Sequence, residues 1–118
     1  MTLDEVLELC KSFPGATKDY PFGGDVAVFK VGGRMFALVL INEDPGWVTL
    51  KCDPDLALEL RDRFTAVRPG YHSNKRHWNT VELDGSIASD ELSWMIEHSY
   101  ELVVSGLPRS AREQLPSG

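Results

Sequence analysis

"DVAVFKVGGRMFALVLI", residues 25–41, reads as two β-strands joined by a glycine pair. Gly32-Gly33 forms a two-residue connection in which both positions accept positive φ, the requirement of a tight hairpin. The second strand, Met35 to Ile41, is apolar at every position, which places it centrally with both faces covered. After the turn "NEDPG", the stretch "WVTLKC" alternates. Val48, Leu50 and Cys52 share one face, and Trp47, Thr49 and Lys51 share the other. The three strands form an antiparallel meander.

Helical patterns flank this meander. Thr2 and Glu5 have the spacing of a reciprocal capping box, and Leu3, Val6, Leu7, Cys10 and Phe13 recur on one helical face. "FPGATKDYPFGG" ends that helix and predicts an irregular connection. Asp53 caps a second helix with Pro54 in its first turn and Leu56, Leu60 and Phe64 on its apolar stripe. "HWNTVELD" predicts a further strand. A third long helix starts near Ser89 with Asp90 and Glu91 at its positive end, and buries Leu92, Met95, Ile96, Ser99 and Val103. Gly106, followed by Leu107 and Pro108, predicts a left-handed helix cap and a stop. "RSAREQL" adds a short last helix, and "PSG" is expected to fray. The order is helix, three-strand meander, helix, strand, then one or two helices. It implies an α+β fold, a single domain over residues 1–118, with an antiparallel sheet covered by helices mainly on one face.

Composition limits the function classes. The chain has 118 residues and is 42% hydrophobic, as expected of a folded globular domain. Acids within "MTLDEVLELCKSF" are unlike a signal peptide, and no run approaches the ~18 apolar residues of a membrane span. A cytoplasmic protein without membrane contact is expected. Cys10 and Cys52 stand far apart in apolar patterns and read as buried thiols.

Net charge is −6, which disfavours general binding to polyanions. The distribution is uneven. Residues 61–80 hold five basic side chains (Arg61, Arg63, Arg68, Lys75, Arg76) against one acid, Asp62, leaving seven basic and 17 acidic residues elsewhere. Within this stretch, "PGYHSNKRHWNTVELDG", residues 69–85, concentrates cations, histidines and aromatics. If Val81 and Leu83 face the core, His77 and Asn79 share their side, while Trp78, Thr80 and Glu82 point outward. Trp78 then joins Trp47 and Thr49 on the outer face, beside Lys75, Arg76 and His72. Such a surface suits stacking on bases and pairing with phosphates. The competing reading makes Pro69, Gly70, Tyr71 and Trp78 parts of a loop that docks on the core.

Catalytic patterns are weak. His72 and His77 lie in a segment that Gly70 and the strand pattern keep from being helical, and no further metal ligands stand out. Ser73 has no nucleophile elbow and no acid placed to orient a neighbouring histidine. Gly23-Gly24 and Gly32-Gly33 match no phosphate-loop pattern. The expectation is a protein that is not an enzyme and uses no metal or cofactor.

The stretches "DYPFGGDVAVFKVGGRMFALV", "PGYHSNKRHWNTVELDGSI" and "MIEHSYELVVSGLP" resemble the MmcQ/YjbR family of small bacterial proteins over about Leu3 to Arg112. The resemblance implies a compact α+β fold similar to the frataxin-like CyaY and type III secretion chaperone folds. It also implies the family's double-wing DNA-binding label. On the matching motif it implies a candidate surface of Tyr71, His72, Asn74, Lys75, Arg76, His77, Trp78 and Asn79, to which the charge pattern adds Arg68. Five cations on an acidic chain neutralise few phosphates, so the expected contact with DNA or another polyanion is weak and salt-sensitive. No recognition helix is evident. The alternative is a protein-interaction or chaperone-like module that binds an acidic partner on the sheet face. A third class is a small-molecule or enzymatic site around His72, His77 and Asn79.

Overall fold

A computed structural model of the chain describes residues 1–70 and 74–116. The elements are α1 (Leu3–Ser12), β1 (Thr17–Asp19), β2 (Val26–Val31), β3 (Arg34–Leu40), β4 (Trp47–Lys51), α2 (Pro54–Arg63), β5 (Val67–Pro69), β6 (Trp78–Glu82), α3 (Ser89–Ser105) and α4 (Arg109–Glu113). The strands form one six-stranded sheet in the order β1-β2-β3-β4-β6-β5, and every ladder is antiparallel. The fold is α+β, as the sequence implies. The meander is β2-β3-β4, and Gly32 and Gly33 have φ of 58° and 80° at its first turn. Two short edge strands, β1 and β5, occupy stretches whose sequence predicts only connections.

Local chemistry explains the helix starts. The Thr2 hydroxyl accepts from the Glu5 N–H at 3.2 Å, and the Glu5 carboxylate accepts from the Thr2 N–H at 2.8 Å. These bonds stabilise the carboxylate and lower the Glu5 pKa. Asp53 accepts from the Leu56 N–H, and Pro54 begins α2. Within α2 the buried residues are Ala57 and Leu60, while Phe64 lies just beyond the helix end as its cap. Helix α3 buries Leu92, Met95, Ile96, Ser99 and Val103, the five positions that its periodicity selects.

The expected left-handed cap at Gly106 is not formed. Gly106 is right-handed, with φ −86° and ψ −5°, and its N–H reaches the Leu102 and Val103 carbonyls. Arg34 donates to the Gly106 carbonyl at 2.7 Å, so β3 supplies a partner to the helix end across the fold. Leu107 fills the space above Gly32, where a Cβ would lie 2.7 Å from its Cδ1.

One sheet face carries Ala27, Phe29, Ala37, Val39, Val48, Leu50 and Val81 into the core with α1, α2 and α3. Phe36 joins this core edge-on to Phe13 and Tyr100, whose rings stack on each other at 4.6 Å. No helix among the described residues is long and apolar enough to cross a membrane.

Candidate nucleic-acid interface

The opposite sheet face is set by register. Val28, Leu38, Thr49, Thr80 and Arg68 align across β2, β3, β4, β6 and β5, with Lys51 opposite Trp78 on one side of that row. On the other side Trp47 stands opposite Glu82. The outward orientation of Trp78, Thr80, Trp47 and Thr49 follows the alternation in the sequence. The centre of this face is dry: Thr49 and Thr80 are buried, and their hydroxyls lie 2.8 Å apart in a hydrogen bond. Trp47 and Trp78 are half-buried on either side of them.

The cations of residues 61–80 divide into two groups. Arg61 donates from Nε to the Asn79 Oδ1 at 2.7 Å and from its terminal nitrogen to the backbone carbonyls of Trp78 and Lys75. Arg63 pairs with Glu91 at 3.5 Å. Lys75 donates from Nζ to the Gly70 carbonyl at 3.1 Å. These three cations have partners within the fold, Arg63 through an exposed surface pair. Arg68 and Arg76 are exposed, Arg68 on the helix-free face and Arg76 in the turn before β6.

The other proposed contacts also separate. Asn74 is exposed and its side chain accepts from the Arg76 N–H at 3.0 Å, which shapes the turn. His77 is half-buried, and its backbone carbonyl accepts from the Cys52 N–H at 2.8 Å. Asn79 is only 2% exposed, and its Nδ2 donates to the Ala57 carbonyl in α2. That placement takes the Asn79 amide out of the candidate contact surface and makes it a tie between sheet and helix. Tyr71, His72 and the rejected nucleophile Ser73 lie outside the described residues, so the proposed His72, His77 and Asn79 site is represented here by its last two members.

Gly70 lies close against the Trp78 backbone. Its N–H donates to the Trp78 carbonyl at 2.9 Å, and a Cβ at position 70 would lie 2.7 Å from the Trp78 Cβ. The backbone approach therefore requires glycine.

A cationic groove lies at one end of the sheet, where β2 turns into β3, β4 ends and β6 begins. Lys30, Arg34, Lys51, Phe22 and Trp78 are among its lining residues, and the described lining contains no carboxylate. Sequence reasoning missed Phe22, Lys30, Arg34 and Lys51 as a group. Each cation stands singly at the end of an apolar strand, and only the sheet order brings them together. The groove at the opposite side of the face is of mixed charge, with Arg68 beside Glu43 and Glu82.

The remaining reactive groups have structural surroundings. Burial pushes the Cys10 thiol up to about 12 and the Cys52 thiol to about 11, which keeps both protonated near neutrality. His98 stacks on Trp94 at 4.9 Å, and its Nε2 accepts from the Asp53 N–H at 3.4 Å. Among the described residues, no three His, Cys, Asp or Glu side chains gather as a metal site.

A six-stranded antiparallel sheet with its helices on one face puts the chain in the α+β class. The chain belongs to the YjbR family, whose model matches residues 11–102. The uncharacterized protein YjbR of Escherichia coli (strain K12) is 37% identical over 115 residues, covering 98% of each chain. The uncharacterized protein YbdF of Escherichia coli O157:H7 is 34% identical over 99 residues, covering 84% of this chain and 81% of its own. The crystal structure of the Deinococcus radiodurans protein DR2400, a DUF419 domain, has a TM-score of 0.90 at 38% identity, covering 96% of this chain and 86% of that one. A Pseudomonas syringae protein matches with a TM-score of 0.76 at 29% identity, over 87% of this chain and 99% of its own.

Proposed function

We propose that this protein is a non-enzymatic binding module that contacts nucleic acid weakly through the helix-free sheet face and the loop entering β6. The observation that carries the reading is the position of Trp78. It is half-exposed on the face without helices and lies opposite Lys51, with exposed Arg76 two residues before it. An aromatic ring flanked by cations is suited to base stacking and phosphate pairing, and the acidic remainder of the chain restricts polyanions to this region. Of the cations in residues 61–80, Arg61 and Lys75 bond within the fold, and Arg68 and Arg76 are exposed to meet phosphates.

Amide NMR spectra recorded during titration with a short duplex, at low and at physiological ionic strength, test this function. Salt-sensitive shifts on Arg68, Arg76 and Trp78 are expected, and they shrink in Arg68→Gln/Arg76→Gln. An unchanged spectrum at low salt, with duplex and with single strand, overturns the reading.

A second reading has one specific observation in its favour. Tyr20 and Phe22 are exposed large side chains, 41% and 66%, in the loop between β1 and β2. An acidic protein segment that docks on the sheet face would meet apolar and cationic contacts together. Both edge strands are only three residues long, which disfavours strand addition and leaves face docking as the mode. Stoichiometric recovery of one partner, lost in Phe22→Ala, would favour this reading over the first.

A further inference from the structure

The sheet-end groove has properties that a general phosphate contact does not need. Its volume of ≈ 470 Å³ is close to that of the other open grooves on the surface, so its lining and not its size sets it apart. Three strands each contribute one cation: Lys30 from β2, Arg34 from β3 and Lys51 from β4. Arg34 is engaged with the Gly106 carbonyl, where it offsets the negative end of α3. Lys30 and Lys51 are half-buried side chains that line the groove. In a chain of net charge −6, a concavity lined by cations with no described carboxylate is selective for anions.

The aromatic components point to the rest of the ligand. The Trp78 backbone is held against Gly70, and its side chain contributes to the groove wall. Phe22 is 66% exposed at the groove and has little part in the core. Two rings and two free lysines in one concavity fit a planar base attached to a phosphate. Inside a duplex, bases are stacked on each other and their faces are closed to side chains. An unpaired base presents a face to any aromatic ring.

We propose that this groove binds single-stranded nucleic acid, with an unpaired base against Trp78 and Phe22 and its phosphate against Lys30 and Lys51. The proposal rests on the nucleic-acid reading above and narrows it from any polyanion to an unpaired strand. Arg76, exposed just upstream of Trp78, extends the path of the strand beyond the groove.

The test titrates the full chain at low ionic strength with a short oligothymidylate and, separately, with a duplex of equal length. It follows the Trp78 indole N–H together with the Gly33 and Lys51 amides. The single strand is expected to shift these signals and to bind more tightly than the duplex. Lys30→Gln/Lys51→Gln should weaken oligothymidylate binding by roughly 10-fold or more at low salt. Phe22→Ala, at an exposed position that leaves the core intact, should weaken it several-fold, and Phe22→Tyr should retain it. The proposal is overturned if the groove signals stay silent, if the duplex binds equally well, or if the lysine substitutions leave affinity unchanged. Duplex binding through Arg68 and Arg76 with a silent groove sinks this inference alone and leaves the broader reading standing. Absence of binding by either probe sinks both.

Discussion

The guanidinium of Arg61 reaches out of α2 and into the start of β6, where it meets Asn79 and two backbone carbonyls. Asn79 in turn donates to the Ala57 carbonyl, so the pair ties helix to strand through the floor beneath the loop. A cation used in this way adds little to phosphate affinity, because its donors already have acceptors. Removing it leaves the Asn79 oxygen and the loop carbonyls without that donor. Arg61→Ala should therefore lower the unfolding free energy by about 2 kcal/mol, read as a lower urea midpoint at unchanged slope. Arg61→Lys separates the two roles, since it keeps the charge and loses the planar fork. Stability should fall with either substitution, while oligonucleotide affinity of Arg61→Lys measured well below its melting transition should stay near that of the parent. A loss of affinity equal to that of Arg61→Ala would make Arg61 a direct contact.

Helices and central strands were legible in the sequence because their signals are local: a capping box at Thr2, Asp53-Pro54 before α2, a glycine pair between apolar runs. The edge strands were not. Thr17-Lys18-Asp19 is exposed at every residue, and Val67-Arg68-Pro69 contains proline, so neither has a strand pattern and each exists because β2 or β6 offers a free edge. The candidate site was half legible for the same reason. Alternation placed Trp78 and Lys51 on the outer face, but which cations are already bonded and which strand ends meet depend on long-range packing. Ser99 shows the limit within one element. Periodicity puts it on the inward face of α3, yet its purpose lies in the sheet. The irregular register at Phe29/Lys30 accompanies an interruption beyond Ala37 and Leu50, where the Ser99 hydroxyl accepts from the Lys51 N–H at 2.9 Å and donates to the Phe36 carbonyl at 2.6 Å. One side chain thus bridges β3 and β4 where the ladder opens. Ser99→Ala should cost about 1–3 kcal/mol by leaving that N–H and carbonyl without the bridge. Amide exchange at Lys51 should accelerate more than at Val48, deeper in the strand; uniform acceleration along β4 would mean that Ser99 contributes only to global stability.

The whole molecule sets an upper bound on how strongly it holds a polyanion. A chain with 12 basic and 18 acidic side chains repels nucleic acid at long range, so any contact relies on the local field of the helix-free face. There the cations available to phosphates are Lys30 and Lys51 in the groove with Arg68 and Arg76 outside it, since Arg61, Arg63 and Lys75 have partners within the fold. If all four meet phosphates of one single strand, counterion release gives a slope of log K against log salt of about −3, at about 0.7 per phosphate. Arg68→Gln/Arg76→Gln removes two of the four and should halve that slope, while Phe22→Ala should lower affinity at every salt concentration and leave the slope unchanged. Stacking and charge pairing are thereby separable by ionic strength alone: the ring adds an offset and each cation adds to the gradient. A measured slope much steeper than −3 would require cations beyond these four and would place the contact surface elsewhere on the molecule. A slope near zero with binding retained would mean that the face recognises its ligand without phosphate, as a docked protein segment would.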